Sequence, residues 1–209
     1  EGDGAARHER PLSVPRGATG FARQGGYLPL RRRSRRTMLC LSTFAAPTQP
    51  LQCVFSGASV RNHSGARVEC SRFAGRQVAL YFAGEWCPLC RGFTPALREF
   101  YKEFVDTTDI VFVSSDLSAK AAQAHFDGAQ GDWFSLDWDD PLASTLKRRY
   151  RVWSGMEMGT FGARRRSGVP AIVVVDAHGE EVAFLPAERE GASTLARFSR
   201  EWRRWPEEL

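Results

Sequence analysis

The chain has 209 residues, 43% of them apolar and 11% aromatic, enough to bury a core of its own and too rich in large side chains for a wholly disordered protein. Charged residues make up 25%, and the longest apolar runs are far short of the roughly 20 residues that cross a bilayer as a helix, so no membrane partner is expected. The net charge of +5 is lopsided: residues 1–70 hold eleven arginines, no lysine and four acids, against eighteen cations and twenty acids in the remainder.

Residues 1–50 show little periodic apolar pattern and a Gly, Pro, Ser and Arg content that cannot offset chain entropy, so they are expected to form a disordered leader ahead of a domain over 51–206. The run Arg31-Arg32-Arg33-Ser34-Arg35-Arg36 allows three readings: a nuclear-import or nucleic-acid patch, part of a transit peptide, or residues translated upstream of the true start. The acid-poor bias between Ala5 and Pro50 fits a transit peptide, whereas a start at Glu1 with the first methionine at Met38 fits the third reading. No nucleic-acid partner is expected, because the run lacks the aromatic platforms on which bases stack. The expected location is the cytoplasm, or the mitochondrion if the leader is a transit peptide.

Residues 52–60 predict a strand, Asn62-His63-Ser64-Gly65 a turn, and Arg67 to Cys70 the return arm of an N-terminal hairpin. Val78 to Ala83 is a nearly continuous apolar run, the mark of a central strand buried on both faces. Phe93, Leu97, Phe100, Tyr101 and Phe104 then recur at helical spacing from about Pro88 to Val105, with Pro88 suited to the first turn and Pro95 expected to kink or break the helix. Ile110 to Val113 predicts a buried strand and Ala119 to Phe126 a helix. Trp133 to Leu136 reads as a short extended piece, and Asp139-Asp140-Pro141 as a capped helix start running through Tyr150. Ala171 to Asp176 is the strongest strand signal. It turns through His178-Gly179 into a hairpin partner at Glu181 to Phe184, and Leu195, Phe198 and Trp202 mark a closing helix. Trp133, Trp138, Trp153 and Trp202 are expected to pack in the core or between helices. This order predicts an α/β fold of thioredoxin-like type: a central mixed sheet flanked by helices, with the N-terminal hairpin as an extension.

Five cysteines are too few and too scattered for a disulfide-stapled secreted domain, which points to a reducing compartment, with Cys40, Cys53 and Cys70 as bystanders. Cys87 and Cys90 stand three apart where a strand passes into a helix. A thiol there meets the positive end of the helix dipole and unpaired N–H groups, and such sites lower a thiol pKa from about 8.5 to roughly 3.5–7.5. Cys87 is therefore expected to be the nucleophile and Cys90 the resolving thiol of a redox-active disulfide. Half a zinc site has the same spacing, but zinc needs two further ligands and the other cysteines lie 17 or more residues upstream. No metal and no cofactor are expected. Val169-Pro170 ahead of the strand at Ala171 is a candidate cis bond that would present the Val169 backbone beside Cys87, where a substrate strand could pair with it. Trp86, Pro88, Arg91, Val169 and Pro170 complete the expected substrate-binding residues.

Leu80-Tyr81-Phe82, Trp86-Cys87-Pro88-Leu89-Cys90-Arg91-Gly92-Phe93-Thr94-Pro95, Val111 to Asp116 and Gly168-Val169-Pro170 together resemble the tryparedoxin and nucleoredoxin branch of the thioredoxin superfamily. The resemblance covers about residues 51–205. It implies a thioredoxin fold, a cis-proline at Pro170 and dithiol–disulfide exchange with protein substrates. In tryparedoxins proper it also implies reduction by trypanothione and electron delivery to peroxidases. The expected activity is that of a protein-disulfide reductase, with protein disulfides (peroxidases among them) as substrates and trypanothione, glutathione or a reductase as electron donor. The alternative is a nucleoredoxin-like sensor that holds or releases a partner. Three departures stand out: Leu89 where tryparedoxins carry proline, Tyr81 where ordinary thioredoxins bury an acid, and an insertion from about Ser154 to Ser167. The insertion's Arg164, Arg165 and Arg166 allow two readings: a solvated loop with no binding role, or a positively charged rim beside Cys87 that recruits an acidic partner or an anionic thiol.

Overall fold

In the computed structural model, which describes residues 53–176 and 178–202, the apolar runs form the middle of one six-stranded sheet. The leader expected over residues 1–50 lies outside the described residues. The strands are β1 (Val60–Arg61), β2 (Gln77–Ala83), β3 (Thr108–Ser114), β4 (Phe134–Leu136), β5 (Ala171–Val175) and β6 (Glu181–Leu185), in the order β1-β4-β3-β2-β5-β6. β2, β3 and β4 are parallel, β5 is antiparallel to β2, and β1 and β6 are antiparallel margins. Every residue from Val78 to Ala83 and all of β3 and β5 are buried, as runs without polar alternation require, so both faces of the sheet's centre are covered.

The helices are α1 (Pro88–Phe104), α2 (Ala119–Ala129), α3 (Pro141–Tyr150), α4 (Met158–Phe161), α5 (Ala187–Glu190) and α6 (Ser193–Trp202). α1 buries Phe93, Leu97, Tyr101 and Phe104 and meets β2 through Phe93 and Tyr81, whose rings lie 5.9 Å apart. It meets α6 through Phe100 and Phe198, at 6.4 Å. α2 lays Phe126 against Phe112 of β3 at 6.3 Å. α3 begins as its sequence predicts, with the Asp140 carboxylate accepting the Leu142 N–H at 2.8 Å.

Several expectations are corrected. α1 is not broken at Pro95. Arg91 and Pro95 both lie on its exposed side, so the carbonyl that Pro95 leaves without a helical donor faces solvent rather than the core. The N-terminal hairpin is rudimentary: only Val60–Arg61 is a strand and it pairs with β4, while the return arm is a single bridge from Arg61 to Arg67 followed by a 3-10 turn at Cys70–Phe73. Side-chain packing governs this segment, with Phe55 and Phe73 buried and their rings 4.8 Å apart. That packing sets two expected bystanders side by side, and Cys53 and Cys70 form a disulfide. Their isolation in the sequence therefore no longer argues for a reducing compartment. Trp133 and Trp153 are buried as expected, but Trp138 is 41% exposed, its indole N–H drawn to the Asp116 carbonyl.

Candidate functional site

Three segments meet at one end of the sheet for a topological reason. β2 and β3 are parallel and end side by side, Ala83 opposite Ser114. β5 is antiparallel to β2 and starts at the same end, Ala171 opposite Phe82. The loop into α1, residues Ser115 and Asp116, and the Val169-Pro170 segment therefore converge. The Val169-Pro170 peptide is cis, as expected.

Cys87 is the N-cap of α1. Its sulfur accepts the Cys90 N–H at 3.3 Å, and its thiol donates to the Val169 carbonyl at 3.5 Å. Pro88 takes the first helical position, where its missing N–H leaves no gap. Cys90 lies behind, on the buried side of the helix. Cys87 keeps 5% exposure and Cys90 none, so what access there is reaches Cys87. Both thiols are free. Burial pushes the Cys90 thiol pKa up, and the nearby Cys87 and Asp116 act in the same direction.

The loop ahead of Cys87 is held from several sides. The Trp86 indole N–H donates to the Ser115 carbonyl at 3.0 Å. Gly84 is needed for that placement, since a Cβ there would stand 2.7 Å from the indole nitrogen. Among the described residues Arg91 pairs with no acid: its guanidinium donates to the Glu85 carbonyl at 3.0 Å, while the Glu85 N–H donates to Asp116 at 2.7 Å. Glu85 is thus pinned at both ends of its backbone, and Arg91 links helix to loop.

Asp116 anchors a buried polar chain. Its carboxylate also accepts from Ser114 at 2.7 Å and contacts His125 at 3.0 Å, and the other ring nitrogen of His125 meets Gln130 at 2.9 Å. Burial alone would raise the Asp116 carboxyl, but the hydrogen bonds from His125, Glu85 and Ser114 outweigh it and hold the group below its ordinary range. Tyr81 is fully buried. Thr94 gives its proton to the Cys90 carbonyl at 2.8 Å, so the Tyr81 hydroxyl donates to Thr94, at 2.9 Å. Tyr81 is both a core residue and, through Thr94, a tether on the helix turn that carries Cys90. Burial pushes its hydroxyl pKa upward, leaving it neutral.

Of the two readings of the insertion, the positive rim is weakened. Its backbone is zipped to the end of α3, Arg166 N–H to the Arg151 carbonyl at 2.7 Å and Trp153 N–H to the Ser167 carbonyl at 3.3 Å. Arg165 pairs with Glu188 and Arg166 with Glu181, so two of the three arginines are neutralised by acids from beyond β5. The sequence reading singles out neither His125 nor Glu188. Asp116 carries a usable signal, an acid at the end of a buried strand beside the one that leads into the Cys-x-x-Cys. Glu188 meets its partners only through long-range packing, and His125 meets Asp116 across the turn from β3 into α2. Among the described residues no group of three or more His, Cys, Asp or Glu is placed to hold a metal, and no helix is long and apolar enough to cross a membrane.

Residues 75–181, just over half of the chain, match the family described as Thioredoxin-like. Nucleoredoxin of Mus musculus is 30% identical over 138 residues, covering 64% of this chain and 28% of that protein. Tryparedoxin of Trypanosoma brucei brucei is 29% identical over 124 residues, 58% of this chain and 75% of that protein. The crystal structure of native tryparedoxin I from Crithidia fasciculata aligns with a TM-score of 0.53 at 26% identity, over 73% of this chain and 94% of that one. The chain spans about a quarter of the length of the curated nucleoredoxins it matches. With the mixed sheet, the matched span and these relatives in agreement, the chain belongs to the thioredoxin-like family of oxidoreductases, in the branch that holds the tryparedoxins and nucleoredoxins.

Proposed function

We propose that this chain is a thiol–disulfide oxidoreductase that reduces protein disulfides through Cys87 and Cys90. The observation that carries the reading is the unequal placement of the two sulfurs: one at the mouth of α1 beside the Val169 carbonyl, the other wholly buried one turn behind. Cys87, as thiolate, attacks one sulfur of the substrate disulfide. A bond forms between Cys87 and that sulfur, the substrate's S–S bond breaks, and the departing thiolate takes a proton from solvent. Cys90 then loses its proton and attacks the Cys87 sulfur. The Cys87–Cys90 disulfide forms, and the substrate leaves with its second thiol. The substrate gains two electrons and the protein dithiol loses two. An external thiol reductant, a low-molecular-weight dithiol, glutathione or a reductase, returns the protein to the dithiol state by the reverse exchange.

In this reading Trp86, Pro88 and Val169-Pro170 form the surface against which the substrate polypeptide lies, and Arg91 keeps that surface in shape by holding Glu85. The raised Cys90 thiol supports the order of events, because at neutral pH the buried sulfur waits as a thiol while the first exchange takes place. The test is the Cys90→Ser variant of the full chain incubated with oxidised insulin. A covalent adduct at Cys87 that resists gel electrophoresis without reductant and disappears with it is expected, together with loss of turnover in Cys87→Ser. No adduct from a folded Cys90→Ser protein would overturn the reading. Redox-dependent, non-covalent capture of one partner without turnover would instead favour the sensor.

A further inference from the structure

Glu188, in the four-residue helix α5, reaches back across the sheet end to the loop that precedes Pro170. Its carboxylate accepts the Gly168 N–H, the Ser167 hydroxyl at 3.4 Å and the Arg165 guanidinium at 3.2 Å. A carboxylate offers about four acceptor sites, so three donors converging on one from a single short segment make a clamp rather than a chance surface contact. Arg165 is itself fixed, donating to the Trp153 carbonyl at 3.1 Å. The space is closed on the backbone side as well: a Cβ at Gly168 would stand 2.1 Å from a Glu188 oxygen and 2.8 Å from an Arg165 nitrogen. Only glycine fits while Glu188 and Arg165 keep these positions. The residue after Gly168 is Val169, whose carbonyl faces the Cys87 sulfur. Glu188 also lines a groove of about 400 Å³ with Pro88, Leu89 and Phe93, directly beside the first turn of α1.

We propose that Glu188, oriented by Arg165 of the insertion, is a positioning residue. It fixes the Gly168 amide, and through it the Val169 backbone, at the spacing from Cys87 that a docking polypeptide needs. This rests on the reading of Cys87 and Cys90 as a protein-disulfide reductase and assigns the insertion its part in it. The arginine acts on the site by holding a carboxylate, not by attracting an acidic partner. Glu188 touches neither sulfur, so its loss acts on docking rather than on sulfur exchange.

The experiment is steady-state reduction of a disulfide-bonded protein such as insulin by the full chain carrying Glu188→Ala, Glu188→Gln, Arg165→Met or Arg165→Lys. Glu188→Ala is expected to raise KM about tenfold while kcat changes by less than about twofold, because the loop freed of its charge-assisted hydrogen bond must be ordered again when the polypeptide docks. Glu188→Gln keeps an acceptor for the Gly168 N–H and is expected to restore KM to within about threefold of the parent. Arg165→Met is expected to raise KM by about threefold and Arg165→Lys to recover most of it. Should Glu188→Ala fail to fold, judged by circular dichroism, the Arg165 pair carries the test. An unchanged KM in folded variants, or a fall in kcat at constant KM, overturns the proposal. Absence of turnover by the parent chain would instead overturn the reductase reading itself.

Discussion

Asp116 and Glu188 do the same job on opposite walls of the site under opposite conditions. Asp116 grips the Glu85 amide two residues before Cys87, and Glu188 grips the Gly168 amide one residue before Val169. Asp116 is 6% exposed and its other partners, Ser114 and His125, are buried with it. Glu188 keeps 27% side-chain exposure and its cation, Arg165, 29%. A buried carboxylate that loses a partner leaves a charge or a donor stranded without water, whereas one at the rim can be resolvated. The contrast teaches that the interior anchor is bound up with the stability of the whole domain, while the rim anchor can be changed at the expense of function alone.

Removing the interior anchor should have the largest effect. Asp116→Ala strands His125, Ser114 and the Glu85 N–H and is expected to cost about 3 kcal/mol of unfolding free energy, measured by urea denaturation. A loss below about 1 kcal/mol would erase the distinction between the two walls. Acid sharpens the same point. The Asp116 carboxyl is held below its ordinary value of about 3.9, so the folded state binds fewer protons there than the unfolded chain. Its contribution is whole above that value and is lost as pH falls through it toward the folded one. Asp116→Asn should therefore narrow its stability gap to the parent as pH falls from about 6 to about 3, and a constant gap would contradict the assignment. The smallest change in stability is expected at the rim. In Gly168→Ala the new methyl meets the far end of the Glu188 side chain, which can swing outward, so stability should fall by less than about 1 kcal/mol. KM for a protein disulfide should nevertheless rise as it does in Glu188→Ala. A large loss of stability there would mean that the rim is built like the interior.

The sheet and the end of it that carries the cysteine pair were legible because they rest on local patterns. The unbroken runs at Val78–Ala83, Ile110–Val113 and Ala171–Val175 need no partner to be read as buried strands, and the Asp140-Pro141 start of α3 is a two-residue signal. Cys87 and Cys90 were legible because strand, cysteine pair and helix follow one another directly. What escaped were pairs joined only by the finished fold. The Cys53–Cys70 disulfide depends on Phe55 finding Phe73, and the Arg165 and Arg166 charges are answered by Glu188 and Glu181 across a whole strand. His125 meets Asp116, from the strand end nine residues earlier, only when α2 has packed against β3. Pro95 misled because a proline on the wet side of a helix displaces a carbonyl that water can serve.

The guanidinium carbon of Arg166 lies over the Phe184 ring, 3.7 Å from its centre, while one of its nitrogens donates to both oxygens of Glu181. Phe184 and Glu181 belong to β6, one of the two margins of the sheet among the described residues. An open sheet margin with an uncovered aromatic is an invitation to a second chain, and a charged lid laid along it withdraws that invitation. The same insertion that meets Glu188 through Arg165 thus also covers an aromatic ring on the sheet's margin.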